Sequence, residues 1–516
     1  MRPQLVAALA GVASAFPAAQ DLLANLDYGT FQGAYSSRYN ISYWQKIPYA
    51  APPVGENRFR APQPPLSIEG VYDSSQRFDM CPQRTVNGSE DCLYLGLYSR
   101  PWTPSQPLRP VIVTFHGGGF VQGAATFTPP PSAYPILNVS ETMNLLFVYP
   151  SYRLNAFGFL PGREIAADDM SDTNAGLRDQ EYVLQWTRKY IRQFGGDPDK
   201  VTVWGQSAGG GSVLAQVIAS RHRSGEPLFD KALASSPFWP KTYRYDSAEA
   251  QDIYDTLAKL TGCAGADSLK CLKTVDVQKI RDASLVITDS HKWTTSSFTW
   301  GPVVGDDFLP VPLSQATSEK AIVPHAFSMY NTHEGESFIN ATVSAAGDFD
   351  IWLEDYLPGL SKCDVSQIGR LYPPSGIISE TESYSDAFTR AGLVYRDTVL
   401  TCPALWTAGA AETGWLGEYT MAPARHASDV YWWNTINEAH TRDLLHYQGY
   451  AGALASFFAT GDPNKLKLTE PAVAGTPKLA SGKRWIIDEA GFGTGDVALI
   501  KQRRNLWRRL SHKIPI

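Results

Sequence analysis

The sequence is poor in charge and has no long run of either sign: Asp, Glu, Lys and Arg make up 19% of 516 residues and leave a formal net charge of −6. Without a basic stripe there is nothing to neutralise a phosphate backbone, so nucleic acid is not an expected partner. The one basic group near the end, Arg503-Arg504 with Arg508-Arg509 around Leu506 and Trp507, has the spacing of the solvated face of a last helix. Beyond the N-terminus no stretch approaches the ~20 apolar residues that a membrane-spanning helix needs. Cysteine is scarce too, with six residues and no C-x-x-C pair, which speaks against a metal site. No repeat, Gly/Ser linker or low-complexity block divides the chain, so one large domain over residues 16–516 is the economical expectation.

What is present is core material, with 43% hydrophobic and 12% aromatic residues, far from the composition of a disordered chain. Met1-Arg2 followed by a small apolar run from Leu5 to Ala15, ending Ala13-Ser14-Ala15, predicts a signal peptide over residues 1–15, cleaved after Ala15, and hence a secreted, extracellular protein. Behind such a leader an even cysteine count predicts disulfides. Short loops close most easily, which favours Cys81–Cys92 and Cys263–Cys271 and leaves Cys363–Cys402. Sequons at Asn40, Asn87, Asn138 and Asn340 are glycosylation acceptors in a eukaryotic secretory pathway.

Short β-branched and aromatic runs at Val111–Phe115, Leu145–Tyr149 and Val201–Trp204 lack strict alternation and predict strands buried on both faces. Between the last two, Leu177, Leu184 and Ile191 recur with helical spacing, and Gly195-Gly196 follow as a stop. The fold class expected is α/β, with a large, mostly parallel central sheet covered by helices on both faces.

Gly205-Gln206-Ser207-Ala208-Gly209 matches G-x-S-x-G, the pattern that lifts a nucleophilic serine onto a tight turn between strand and helix. Trp204 ends a predicted strand and Ser212–Ile218 reads as the following helix, which is the context the pattern requires. His116-Gly117-Gly118-Gly119-Phe120 follows another strand, where consecutive glycines leave N–H groups open to a developing oxyanion. The acid and base should follow in that order along the chain. Ala326–Tyr330 predicts a strand, and the turn after it offers Glu334, with Glu336 as its rival and His333 as a neighbour. Among the later histidines, His440 lies just beyond Asp429–Asn434, read as a strong strand. His446 falls in a predicted helix, and His426 precedes that strand at what would be the wrong sheet edge.

These residues resemble the type-B carboxylesterases, the α/β-hydrolases that include the cholinesterases and the large secreted fungal lipases. The likeness runs through Ile47–Gly55 with Arg58-Phe59, Ser89–Leu95, Asn174–Gln180 and Phe194–Pro198. Past the elbow it continues in Pro302–Val304, Glu334-Gly335, His440 with Asp443, and Phe458–Asn464. The resemblance implies Ser207 as nucleophile, Glu334 as acid, His440 as base, and the N–H groups of Gly118, Gly119 and Ala208 as oxyanion donors. It also supports the first two cysteine pairings. Three departures stand out: Gln206 replaces a frequent Glu beside the nucleophile, Glu438-Ala439 replace the glycine before the histidine, and Gly305-Asp306 reverses the usual order. The activity implied is a cofactor-free hydrolysis of a small-molecule ester, and two other fates of the family stand as alternatives, a non-catalytic adhesion protein and a long-chain lipase. Ten residues between Cys81 and Cys92, rich in turn formers and polar groups, predict no amphipathic lid helix.

Overall fold

A computed structural model describes residues 22–124, 128–221, 223, 225–290, 299–316, 322–379 and 382–515, so the leader read at Met1–Ala15 lies outside the described residues. Its main sheet has eleven strands. In chain order they are β1 (Ala34–Ser36), β2 (Ile41–Pro48), β3 (Tyr94–Ser99), β4 (Arg109–Phe115), β5 (Leu146–Pro150) and β6 (Gly196–Gln206). There follow β7 (Lys231–Ser235), β8 (Val323–Asn331), β9 (Ala411–Tyr419), β10 (Lys483–Asp488) and β11 (Gly491–Asp496). Across the sheet the order is β11-β10-β9-β8-β7-β6-β4-β5-β3-β2-β1. Pairing is parallel from β5 through β10 and antiparallel at both margins.

The continuous apolar runs are explained by burial on both faces. Along β4, Val111, Val113 and Phe115 pack on one side with Val183, Leu184, Val213 and Val217, from the helices Ala175–Tyr190 and Ala208–Ser220. Ile112, between them, faces the other side with Trp204, Phe327, Phe457 and Phe458, the last two from the helix Gly452–Thr460. A strand that alternates between two buried faces needs apolar residues at every position. Gly195 ends the predicted helical stretch in a left-handed conformation, as a helix stop should.

Three expectations need correction. Asp429–Asn434 is not a strand: Ser428–Trp432 forms a short 3-10 helix that buries Asp429, Trp432 and Trp433. That spacing of one, four and five is helical, and the aromatic content had mimicked a strand. The strand that fills this place in the sheet is β9, earlier in the chain. Second, Cys81–Cys92 and Cys263–Cys271 are bonded with Cα separations of 5.1 and 5.4 Å, but Cys363 and Cys402 are free thiols. Cys402 is buried in the core, where desolvation pushes its thiol pKa well up, while Cys363 is exposed on the helix Lys362–Leu371. Third, of the basic group on the last helix, Arg503 is buried at 2% exposure, over the Tyr372 ring and against Asp397. Arg508 and Arg509 do face solvent.

Candidate active site

The parallel strands present their carboxyl ends on one side of the sheet, and four of them, β4, β6, β8 and β9, each deliver one part of the site. The nucleophile comes from β6. Ser207 sits alone between the end of β6 and the helix Ala208–Ser220, at φ 59° and ψ −125°, a conformation that side-chain-bearing residues rarely adopt. Its N–H donates to Ser235 O at 3.0 Å, and its carbonyl accepts from Phe238 N at 2.8 Å. The turn is possible because Gly209 carries no side chain: a Cβ there would lie 2.0 Å from Phe115 O at the end of β4.

The acid comes from the end of β8. Glu334 opens a 3-10 turn, is fully buried, and accepts from Asn331 N at 3.2 Å through Oε1. Behind it, Asn331 Nδ2 donates to Ser236 Oγ and to Asp429 Oδ1, and Asp429 also accepts from Tyr450 and Trp433. Glu336, the sequence alternative, points elsewhere and bonds His333 Nδ1 at 2.7 Å.

The histidine is His426, in the loop after β9. Its Nδ1 lies 2.9 Å from Glu334 Oε2 and its Nε2 lies 2.8 Å from Ser207 Oγ, which strings the three residues into one hydrogen-bonded chain. A buried carboxylate at Nδ1 fixes the tautomer that donates there and leaves Nε2 to accept the serine hydroxyl. Phe338 packs edge-on against the ring, with centroids 5.3 Å apart. His440 therefore does not take the place expected of it. Its Nε2 bonds Trp432 O at 3.2 Å, its Nδ1 accepts from Asn437 N at 3.3 Å, and its ring lies on Tyr447. Both nitrogens are spent on the backbone, and burial lowers its pKa. Asp443 pairs with His446, at 2.7 Å, and not with His440. The signal that could have found His426 was the helical spacing of Asp429, Trp432 and Trp433, which moves the strand expected there upstream and puts His426 in the loop past its end.

The end of β4 supplies the glycine loop. Gly118 and Gly119 adopt φ of 108° and 65°, and among the described residues the N–H groups of Gly118, Gly119 and Ala208 have no partner. The His116 ring stacks on Tyr152 at 4.2 Å and its Nδ1 is 3.0 Å from Gly117 O. Burial pushes its pKa down to about 4, so it is neutral in ordinary buffers. Beside the serine, Gln206 contributes no charge. Among the described residues no His, Cys, Asp or Glu cluster could hold a metal ion. The arrangement offers a hydroxyl, a base oriented by a carboxylate, and open N–H donors, the parts needed for acyl transfer.

Residues 20–408 match the carboxylesterase family. The chain belongs to that family. The match stops before both His426 and His440, so the choice between them rests on geometry. Among curated relatives, carboxylesterase patB of Penicillium expansum is 28% identical over 420 residues, covering 77% of this chain and 73% of its own length. Secreted lipase 4 of Gibberella zeae is 28% identical over 461 residues, covering 82% and 80%. Among solved structures, Aspergillus niger EstA superposes with a TM-score of 0.82 at 24% identity, over 96% of this chain and 99% of that one. A PNB esterase superposes at 0.75 with 26% identity, over 94% and 100%. Family and relatives together make this carboxylesterase-family chain a carboxylic-ester hydrolase of α/β-hydrolase fold. Among its described residues no helix is long and apolar enough to cross a membrane.

Proposed function

We propose that this carboxylesterase hydrolyses neutral esters of short or medium acyl length outside the cell, through an acyl-enzyme on Ser207. The observation that carries the reading is the Ser207–His426–Glu334 chain, with its links of 2.8 and 2.9 Å. His426 Nε2 takes the hydroxyl proton as Ser207 Oγ bonds to the ester carbonyl carbon, and Glu334 stabilises the imidazolium. The carbonyl oxygen, now an oxyanion, is received by the N–H groups of Gly118, Gly119 and Ala208. Collapse breaks the bond to the alcohol oxygen, which leaves with the proton from His426. Water, deprotonated by the same nitrogen, then frees the acid and restores Ser207. A complete set of reacting groups weighs against a non-catalytic adhesion role.

Substrate size is inferred from the segment between Cys81 and Cys92, which contains no helix and so no lid of the amphipathic kind. Neutral esters fit a site with Gln206 beside the nucleophile and no aromatic residue between the two cysteines. The names of the secreted lipases among the relatives favour a second reading, a longer-chain lipase. Export through the leader at 1–15 agrees with two disulfides and with sequon asparagines Asn40, Asn87, Asn138 and Asn340, all of which are exposed. The test is a fluorophosphonate: mass spectrometry should find its phosphonyl group on Ser207, and an unmodified Ser207 would sink the mechanism. On tributyrin, rate should saturate smoothly through the solubility limit, whereas a sharp rise once droplets form would favour the lipase.

A further inference from the structure

The first disulfide loop is bonded to the glycine loop of the active site by one buried side chain. Gln83, two residues beyond Cys81 and 1% exposed, accepts from Gly123 N at 2.8 Å through Oε1 and donates from Nε2 to Gly123 O at 2.9 Å. Both polar groups of one backbone residue are thereby held by a single amide. The rest of that amide is also satisfied, since Oε1 accepts from Thr85 Oγ1 at 3.1 Å and Nε2 lies 3.2 Å from Cys81 O. Gly123 is where the turn carrying the oxyanion donors ends. At φ 122° it lies so close to the turn's start that a Cβ would fall 2.3 Å from Gly117 O and 2.4 Å from His116 Nδ1. Inside the turn, Val121 N and Gln122 N both donate to Gly118 O at 3.1 Å. The turn from Gly117 to Gly123 is thus closed on itself, and Gln83 grips its far end. Asn155 adds a parallel link, with Nδ2 donating to Val121 O at 3.0 Å and lying 3.4 Å from Pro82 O. From the other side, Arg281 Nε donates to Gln83 O at 2.9 Å and so anchors the loop to the helix Val277–Asp289.

We propose that Gln83 is a positioning residue for ester hydrolysis: through Gly123 it sets the aim of the Gly118 and Gly119 N–H groups. The inference rests on the acyl-enzyme reading above. Donors stabilise an oxyanion only when they already point at where it forms, and a misplacement of about 1 Å costs on the order of a hundredfold in rate. Replacing the Gln83 amide leaves Gly123 N–H and C=O without their buried partners and lets the turn relax. The ground-state ester, whose carbonyl draws less on these donors, should bind as before.

The experiment uses Gln83→Leu and, as an unbranched second variant, Gln83→Met, with Arg84→Ala as a control in the same loop, where the side chain is exposed and pairs with exposed Asp289. The measurements are kcat and KM for p-nitrophenyl butyrate. Alongside them go the Ki of an alkyl trifluoromethyl ketone, which forms an oxyanionic hemiketal with the serine, and the Ki of the matching alcohol, which cannot. The expected result is a fall in kcat of about 10- to 100-fold, KM and alcohol Ki within about twofold, and a ketone Ki raised by the same factor as kcat falls. Arg84→Ala should match wild type. A lowered Tm with unchanged ketone Ki, or failure of both Gln83 variants to fold, would make Gln83 a scaffold residue and overturn the inference. Wild-type protein that forms no hemiketal and takes no phosphonyl group on Ser207 would mean the failure of the acyl-enzyme reading itself.

Discussion

Ser207 and His426 meet at 2.8 Å but are held by different means. The serine stands in a turn that backbone contacts fix on three sides: Ser235 O, Phe238 N and the close pass of Gly209 over Phe115 O. The histidine hangs from a loop bracketed by Ala424 and Ala427, both at positive φ, and is aimed mainly by one buried carboxylate. Steric closure makes the nucleophile's place insensitive to changes elsewhere. The base depends on charge and hydrogen bonding, and so should be easier to misdirect without loss of fold.

The largest effect that separates the two sides is loss of the nucleophile. Ser207→Ala should lower kcat by on the order of a millionfold with an unchanged circular dichroism spectrum. A variant that kept a tenth of the activity would contradict the assignment. On the base side, Glu334→Gln should leave the fold standing and cost about 10⁴-fold in kcat, because an amide at Nδ1 permits the wrong tautomer. Glu336→Gln, which weakens contacts to His333 and to Arg425 but to no member of the triad, should change kcat by less than about threefold. Equal losses in these two glutamine variants would erase the distinction between the carboxylates.

The cysteines give a second contrast at smaller scale. Removing Cys81–Cys92 by a double serine substitution should cost about 3 kcal/mol in urea denaturation, whereas Cys363→Ser, at an exposed free thiol, should stay within about 0.5 kcal/mol. A large loss in the latter would imply a bond that the structure lacks. The smallest effect concerns pH. His333 lies between Glu336 and Glu382, and its bond to Glu336 raises its pKa above the ordinary histidine value. Stability from this clamp is fully present below the unfolded pKa and fades as pH rises through the folded one. The Tm gap between wild type and His333→Ala should therefore be wider at pH 5.5 than at pH 9, by the equivalent of about 1 kcal/mol or less for a partly exposed set of charges. A gap that widened toward alkaline pH would reverse the assigned direction.

The same contrast explains what could be read from the sequence. Gly205, Gly209 and the glycines after His116 are demanded by close backbone approach, so the nucleophile and its donors announce themselves in the chain. The buried stretches of β4, β5, β6 and β8, at 111–115, 146–150, 201–204 and 326–330, are apolar at most positions because both faces are covered. β9 is different. Gly414 and Gly417 stand where a Cβ would lie 1.9 Å from Ala408 O and 2.3 Å from Met329 Sδ, so tight packing removed the side chains that advertise a strand. The aromatic run at Asp429–Asn434, buried with helical spacing, supplied a false one, and the base was displaced from His426 to His440 with it. The pairing of Cys363 with Cys402 failed for a related reason, since an even count says nothing about which thiol the core encloses.

The claim that turns on this region is tested most directly by His426→Ala and His440→Ala measured side by side on p-nitrophenyl butyrate. His426→Ala should lose activity on the scale of Ser207→Ala, about a millionfold in kcat, and should resist the fluorophosphonate. His440→Ala, which breaks two backbone contacts that involve no member of the triad, should lower Tm and keep kcat within about tenfold of wild type. Full activity in His426→Ala with loss in His440→Ala would contradict the account.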